Sequence, residues 1–360
     1  MPETATLTDL AHQLLIVGFD GHTAPAGTLE LVRRGLGGVI LFARNVASPE
    51  QVAELNRTLK AAAPRPLLSS VDQEGGRVAR LRAPWTVWPP LRQVGRANDD
   101  QLAEDFGRSL GVELKACGFD LDYAPVLDVD SNPANPIIGD RSFGSDPEVV
   151  GRLGVAVIKG LQAIGVAACG KHFPGHGDTS QDSHLTLPGL PHGLERLRQI
   201  ELPPFRRAIE AGVATIMTAH VVFEALDPDV PATMSKKAID GVLRRELGFD
   251  GVVISDDLEM KAVYEGFAMA EVVANALDAG VDAFLVCHQL TLQHEVVGHI
   301  VRAVESGRVH RSRLEQAAHR MEKLRHAYAC AAGAIDPIVA ARMAGSENHR
   351  ELAARVARSV

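Results

Sequence analysis

Residues 171–184 gather the groups of this chain with the most chemical potential: three histidines, two aspartates and a lysine. Within them, Pro174, Gly175 and Gly177 exclude the interior of a regular helix or strand. The residues just before, 166–170, form a short apolar run that is typical of a buried strand. The stretch is therefore expected to be a loop at the end of a strand, which is a common place for an active site.

Spacing alone leaves three interpretations of this stretch open. Histidine and aspartate are common metal ligands, so His172, His176, Asp182 and His184 could bind a metal ion, although their spacing is not helical. Alternatively, His176 and Asp178 serve only to pin the loop through hydrogen bonds. In the third interpretation Asp182 fixes the tautomer of His184 and stabilises its imidazolium, which makes a general acid/base that works near neutral pH.

The elements that must position these groups follow a regular alternation. Eight short apolar runs alternate with longer amphipathic stretches, and each connection is long enough for a crossover between parallel strands. Eight such units favour an α/β fold with a single (β/α)8 barrel of the TIM type over an open, doubly wound sheet. The strands are expected at residues 14–19, 38–42, 66–72, 121–128, 166–170, 215–220, 252–256 and 283–287.

A barrel of this type carries its functional residues at the carboxyl ends of its strands. Ionisable residues stand where the predicted strands end, at Asp72, Asp128, Lys171, His172, His220 and Asp256. Glycine-rich phosphate-binding motifs do not occur in the sequence. The barrel is expected to occupy residues 1–335, followed by a helical tail at 336–360.

The composition limits the partners of the chain. Its 37 Lys and Arg against 45 Asp and Glu give a formal net charge of −8 without a basic run, which argues against nucleic acid and anionic membranes. The N-terminus holds no apolar run long enough for export or for spanning a bilayer. The four cysteines are scattered without a C-x-x-C pair, which favours a reducing compartment. A cytoplasmic protein is expected.

Three further motifs join residues 171–184 in a resemblance to family 3 of the glycoside hydrolases. They are V-D-Q-E-G-G-R-V at 71–78, G-D-R-S-F-G at 139–144 and I-S-D-D-L-E-M at 254–260. The D-S-H at 182–184 is similar to the β-N-acetylglucosaminidase branch of that family. The resemblance implies a retaining exo-β-N-acetylglucosaminidase of the cell-wall muropeptide type. Such an enzyme is expected to act as a monomer on a small amino-sugar glycoside, without a cofactor or a metal.

The resemblance also implies the roles of individual residues. Asp256 matches the catalytic nucleophile, His184 the general acid/base, and Asp182 its dyad partner. The residues that match sugar contacts are Asp72, Arg80, Arg141, Lys171 and His172. Asp257 is expected to be structural, because alternation along a strand sends neighbouring side chains to opposite faces. If His184 were not the acid, Glu74 would be the first carboxylate to consider.

Other functions remain open at this stage. Because a neutral histidine does not repel an incoming phosphate, a β-N-acetylglucosaminide phosphorylase is an alternative, as is a β-glucosidase of the same family. A non-catalytic sugar-binding barrel and a metal-dependent hydrolase are disfavoured by the nucleophile and dyad motifs. The tail at 336–360 resembles the segment that leads into a second domain in many family members. It is expected to be either a remnant of that domain or its lead-in.

Overall fold

The structure is a computed structural model that describes residues 5–180 and 187–359. Eight parallel strands close into a barrel in which β1 pairs with both β2 and β8. In chain order the barrel strands are β1 Leu15–Val17, β2 Gly38–Leu41, β3 Leu68–Val71, β4 Leu121–Asp122, β5 Ala167–Phe173, β6 Thr215–Thr218, β7 Val252–Asp257 and β8 Ala283–Val286. The predicted (β/α)8 barrel is confirmed, and all eight predicted strands are present.

Helices connect successive strands along the outside of the barrel. Their bounds are Leu7–His12, Ala26–Arg33, Pro49–Ala62, Leu91–Ala97, Asp100–Ala116, Pro147–Ala163, Leu194–Arg196, Leu197–Glu201, Leu202–Glu210, Lys237–Glu246, Lys261–Tyr264, Met269–Ala279, Leu290–Glu305, Arg311–Tyr328, Pro337–Met343 and Glu347–Ala357. The helix at Pro49 begins as the sequence indicates, because the Ser48 side chain accepts from the backbone N–H of Gln51 and proline occupies the first helical position.

Two parts of the chain differ from the prediction. The fourth strand is shorter than residues 121–128, because Pro125 has no N–H to continue the ladder, and only a single bridge joins Val126 to Lys171 beyond it. The loop after β3 contains a small antiparallel hairpin, Gln73–Gly75 with Val78–Ala79. This hairpin carries residues toward the mouth of the barrel.

The barrel interior explains why particular side chains reach the site. Alternate residues of the strands form one buried apolar cluster that includes Ile16, Ile40, Leu68, Leu121, Ala167, Cys169, Met217, Val252, Ile254, Ala283 and Leu285. The same alternation places Lys171, two residues beyond Cys169, and Asp256, two residues beyond Ile254, on the interior side at the carboxyl ends of their strands. The remaining core lies between strands and helices.

The C-terminal helices pack against the barrel helices. Glu113, on the helix Asp100–Ala116, is buried and accepts hydrogen bonds from the backbone N–H of Gly345 (2.8 Å) and from Nδ1 of His349 (3.1 Å). This part of the chain forms the helices Pro337–Met343 and Glu347–Ala357, and the division of the chain at residue 335 stays a prediction. Within 5–180 and 187–359, none of the helices has the length and apolar character needed to cross a membrane.

Candidate active site

A pocket of about 250 Å³ opens at the carboxyl ends of the barrel strands. Its lining includes six of the residues that the sequence singles out: Asp72, Arg80, Arg141, Lys171, His172 and Asp256. Glu74, His176, Asp257 and His288 also line it, together with apolar side chains such as Phe42 and Met260. A larger groove of about 560 Å³ lies elsewhere, among charged side chains of the outer helices. Among residues 5–180 and 187–359, the barrel pocket collects buried ionisable groups from several strand ends, which makes it the candidate site.

Lys171 is the central cation of one side of the pocket. Its side chain is 2% exposed, and Nζ lies 2.8 Å from Oδ1 of Asp72 and 2.6 Å from Oε1 of Glu74. Burial alone would lower the pKa of Lys171, but the two carboxylates outweigh it and hold the pKa above its ordinary value. Lys171 therefore stays protonated and can donate hydrogen bonds to a bound polar ligand.

Two arginines extend this arrangement. Arg141 binds Glu74 in a bidentate manner, with distances of 2.9 and 2.8 Å. Arg80 donates from Nη2 to Oδ2 of Asp72 at 3.2 Å. We refer to Arg80, Arg141 and Lys171, with their partners Asp72 and Glu74, as the cationic wall.

The carboxylates of the cationic wall are ionised. Burial would raise the pKa of Glu74, but Arg141 and Lys171 hold it well below its usual range. In the same way Lys171 and Arg80 hold the pKa of Asp72 below its ordinary value despite burial. Glu74 is thus a poor proton donor and unsuitable as the general acid. Sequence reasoning did not assign it to the ion network, although its place in the motif at 71–78 is a signal that could have done so.

Asp128 holds both His172 and His176 through hydrogen bonds. Oδ2 of Asp128 lies 2.7 Å from Nδ1 of His172, and Oδ1 accepts from the backbone N–H groups of His172 (3.1 Å) and His176 (2.7 Å). Burial, with the nearby His172, lowers the pKa of His176 to about 4, so this imidazole is neutral at physiological pH. His176 Nδ1 lies 2.7 Å from the Thr179 hydroxyl.

These contacts bear on two interpretations of the loop. The hydrogen bonds of His176 and the contact of Asp178 with His192 confirm that these residues pin the loop. No group of three or more potential metal ligands occurs among residues 5–180 and 187–359. His220, another strand-end candidate, is buried and contacts Thr233 and the backbone carbonyl of Asp257 rather than lining the pocket.

The opposite side of the pocket is formed by the end of β7. Asp256 lines it, and its Oδ1 accepts from the backbone N–H of Asp257 at 2.8 Å. The prediction that Asp257 would face away is wrong, because Asp257 also lines the pocket. The pairing of β7 with β8 shifts register between Ile254 and Asp257, and this irregularity breaks the strict alternation of side chains.

Asp257 differs electrostatically from the carboxylates of the cationic wall. Burial, with the charges of Glu259 and Asp256, raises the pKa of Asp257 to about 7. Its Oδ2 lies 3.8 Å from Nε2 of His288, whose ring stacks on Phe42 with centroids 5.9 Å apart. We refer to Asp256, Asp257 and His288 as the carboxylate wall.

Asp182 and His184, the predicted acid/base dyad, lie outside the described residues. Their roles and those of the six pocket residues stay predictions. What the geometry supplies is a carboxylate facing a set of fixed cations and anions across a small polar cavity. Such an arrangement suits a ligand with several hydroxyl groups, each able to donate to one ion and accept from another.

Comparison with known proteins identifies similar sequences and structures. Residues 6–324 match the family described as "Glycosyl hydrolase family 3 N terminal domain". A protein named beta-hexosaminidase from Nitrosomonas eutropha is 41% identical over 298 residues, which cover 80% of this chain and 85% of that protein.

Two solved structures are also similar. A glycoside hydrolase family 3 beta-N-acetylglucosaminidase from Paenibacillus sp. str. FPU-7 has a TM-score of 0.92 at 41% identity, covering 99% of this chain and 69% of that one. NagZ from Neisseria gonorrhoeae, in complex with N-trifluoroacetyl-D-glucosamine, has a TM-score of 0.79 at 34% identity, covering 96% and 97%.

Proposed function

The chain belongs to family 3 of the glycoside hydrolases, and on that premise we propose that it is a retaining exo-β-N-acetylglucosaminidase. Its substrate is a terminal β-linked N-acetylglucosamine on a small aglycone. The observation that carries the proposal is the pocket in which Asp256 faces the cationic wall. The similarity to proteins named beta-hexosaminidase and beta-N-acetylglucosaminidase supports the choice of sugar.

In the first step Asp256 acts as the nucleophile. A carboxylate oxygen of Asp256 attacks the anomeric carbon, the glycosidic C–O bond breaks, and a covalent glycosyl-aspartate ester forms. His184 donates a proton to the departing oxygen, and Asp182 stabilises the imidazolium and fixes its orientation. A histidine is suited to this work because it titrates near neutrality without the raised pKa that a carboxylic acid would need.

In the second step water takes the place of the aglycone. Neutral His184 accepts a proton from the water as its oxygen attacks the anomeric carbon. The ester bond to Asp256 breaks, the carboxylate is released, and the sugar leaves with its original β-configuration after two inversions.

The cationic wall binds the sugar hydroxyls during both steps. Lys171 and Arg141 are fixed donors because Glu74 holds both, and Asp72 is an ionised acceptor fixed by Lys171 and Arg80. Ions that are already oriented lose little entropy when the ligand binds. His172 adds a further contact with its ring held by Asp128.

The size of the pocket favours one sugar unit over a polymer. Its volume of about 250 Å³ is small beside the roughly 300–1,000 Å³ of drug-sized ligand sites. Both tryptophans, Trp85 and Trp88, are buried in the core and cannot form an aromatic platform for a long chain. These features support removal of single terminal residues. In our proposal the enzyme acts as a cytoplasmic monomer in the turnover of cell-wall muropeptides.

The decisive experiment is a series of aryl β-N-acetylglucosaminides whose phenols differ in acidity. For His184→Ala, kcat/KM should fall by about 10²–10⁴-fold with the poorest leaving group, the range for a lost general acid, and far less with the most activated phenol. Asp182→Ala should act in the same direction. If His184→Ala lowers the rate equally for all phenols, or not at all, His184 is not the acid.

Two control reactions define the specificity. The matching aryl β-glucosides should react poorly, and faster turnover of the glucoside would make the enzyme a β-glucosidase. Addition of inorganic phosphate should leave the rate unchanged and yield free N-acetylglucosamine. Formation of the sugar 1-phosphate would instead show a phosphorylase.

A further inference from the structure

Glu113 is a buried carboxylate that connects parts of the chain far apart in the sequence. Its side chain is 3% exposed and receives the N–H of Gly345 and Nδ1 of His349, at the start of the C-terminal helix Glu347–Ala357. It also accepts from the Thr86 hydroxyl at 2.6 Å and from the Thr86 backbone N–H at 3.3 Å. Because a buried carboxylate without donors is costly, these contacts hold the C-terminal helix and the loop at Thr86 to one point.

The C-terminal segment also contacts this loop directly. The imidazole of His349 lies beside the indole of Trp88, with ring centroids 6.1 Å apart. Gly345 has a φ of +61°, and a Cβ at this position would collide with the carbonyl oxygen of Pro84. Glycine alone combines this backbone conformation with so close an approach. The C-terminal segment therefore contacts the loop on both sides of Thr86.

The same loop supports the turn of the hairpin after β3. In that turn, the backbone N–H of Gly76 donates to the carbonyl of Trp88 at 2.8 Å. The start of the hairpin is attached to the barrel instead, where the N–H of Gln73 donates to Oδ1 of Asp122 at 2.9 Å. Glu74 lies between these two attachments in the sequence. The position of its carboxylate in the cationic wall therefore depends on the loop as well as on the barrel.

A second set of contacts leads from the C-terminal helix to Arg141. The C-terminal helix packs against the helix Leu91–Ala97. On that helix, Arg92 donates from Nη2 to the carbonyl of Gly139 at 2.9 Å and from Nε to the carbonyl of Ser142 at 3.2 Å. These two carbonyls flank Arg141 in the sequence. The helix Leu91–Ala97 thus holds the short segment that carries this arginine of the cationic wall.

We propose that Glu113 and His349 are positioning residues for the cationic wall, through which the C-terminal helix contributes to sugar binding. The inference rests on the proposed function, since it takes the cationic wall as the site that binds the sugar. Both sets of contacts end on the bidentate pair of Glu74 and Arg141, and Glu74 also contacts Lys171. Hydrogen bonds depend steeply on distance and angle, so a displaced hairpin or Arg141 segment would offer poorly placed donors to the sugar hydroxyls.

His349→Ala in the full-length enzyme tests the effect on binding. The dissociation constant for N-acetylglucosamine, measured by calorimetric titration, should rise by about 3–30-fold, the range in which residues that touch no ligand modulate a distant site. With aryl β-N-acetylglucosaminides, kcat/KM should fall by a similar factor for every phenol, because the sugar contacts are disturbed and the proton donor is not. His349→Asn should restore most of the affinity, because its amide N–H can replace Nδ1 as a donor to Glu113.

Amide hydrogen exchange tests the same contacts without any sugar. In His349→Ala, peptides that cover residues 73–79 should exchange faster than in the parent enzyme, because a loosened loop weakens the hydrogen bond from Gly76 to Trp88. Gln13→Ala is the matched control, because it removes a buried contact with Arg325 (2.9 Å) just before β1, at the opposite end of the barrel. Gln13→Ala should lower the melting temperature but change neither the exchange of the hairpin nor the affinity for the sugar.

The outcomes separate this inference from the proposed function. An unchanged dissociation constant in His349→Ala, or an equal rise in Gln13→Ala, would show that the C-terminal helix adds stability alone and would overturn the inference. Faster exchange of the hairpin without weaker binding would overturn it as well. A parent enzyme that neither binds N-acetylglucosamine nor cleaves its β-glycosides would contradict the proposed function, and the role in sugar binding with it. Should His349→Ala not fold, Glu113→Gln carries the same test, because the amide keeps the shape of the carboxylate but loses one acceptor oxygen.

Discussion

The two walls of the pocket place the same kind of side chain in opposite electrostatic surroundings. In the cationic wall Asp72 is buried against Lys171, and its pKa lies below the ordinary value. In the carboxylate wall Asp257 is buried beside Asp256, and its pKa rises to about 7. Within the part of the chain that the structure describes, the ion partner of Asp257 is His288 at 3.8 Å, which is too far for a close hydrogen bond.

The difference shows how one small cavity supports two tasks. Burial raises the pKa of a carboxylate, and cations or hydrogen-bond donors in contact with the ionised form reverse that effect. Fixed charges on the cationic wall suit ligand binding, because these groups do not change their protonation state over the working pH range. The carboxylate wall instead holds two acids side by side, so protonation of Asp257 removes a negative charge next to Asp256 and relieves like-charge repulsion.

The largest expected effect distinguishes the two neighbouring aspartates. Asp256→Asn should lower kcat by about 10⁴-fold or more, because loss of a covalent nucleophile removes the first step. Asp257→Asn, which resembles the protonated side chain, should retain most activity near pH 6. Steady-state kinetics of both purified variants measures the contrast, with circular dichroism to confirm the fold. Comparable losses in the two variants would contradict the division of roles.

The next effect concerns the stability of the cationic wall. Lys171→Met should destabilise the enzyme by about 3–5 kcal/mol, because Asp72 and Glu74 would remain buried without their shared cation. Urea denaturation gives this free energy of unfolding. Lys236→Met is the matched control, since its ion pair with Asp278 is 2.9 Å long but exposed, and it should cost less than about 1 kcal/mol. Similar losses of unfolding free energy in both variants would show that burial of the ion network does not make the loss of its cation more costly.

A smaller, pH-dependent effect is expected from Asp257. In the unfolded chain its carboxyl ionises near its ordinary pKa, whereas the folded protein keeps the proton up to about pH 7. The folded state therefore binds more protons between about pH 4 and 7, and the stability from this group, present at low pH, is lost as the pH rises through that window. The difference between the folded and unfolded pKa of Asp257 corresponds to at most roughly 4 kcal/mol of unfolding free energy, and screening by water at the pocket mouth reduces this value.

The Asp257→Asn variant has no titratable group at this position, so it should not show this loss of stability as the pH rises. Relative to the parent enzyme, the variant should gain stability between pH 4 and pH 8, as measured by urea denaturation at each pH. The groups with lowered pKa, such as Asp72, contribute equally to both proteins and cancel in the comparison. A constant difference across the pH range would mean that Asp257 is ionised throughout.

Much of the architecture could be predicted because it depends on local patterns. Apolar runs of strand length mark all eight strands, and the period of two residues places Lys171 and Asp256 on the interior side. Ser48 followed by Pro49 marks the start of a helix. These signals need no knowledge of distant contacts.

The remainder depends on contacts between residues far apart in the sequence. The register shift between Ile254 and Asp257 arises from pairing with β8, so alternation alone placed Asp257 wrongly. Glu74 acquires its partners only when the hairpin after β3 meets Arg141, 67 positions away, and Lys171 at the end of β5. The contact between Asp178 and His192 likewise joins residues 14 positions apart.

The most direct test of the central claim is to trap the covalent intermediate. A 2,4-dinitrophenyl β-glycoside carrying a fluorine that slows the second step should inactivate the enzyme and add the mass of one fluorosugar. Digestion and mass spectrometry should locate the label on Asp256, as an ester that hydrolyses slowly on standing. A label on Asp257 or any other residue, or turnover with inversion and no label, would contradict the account.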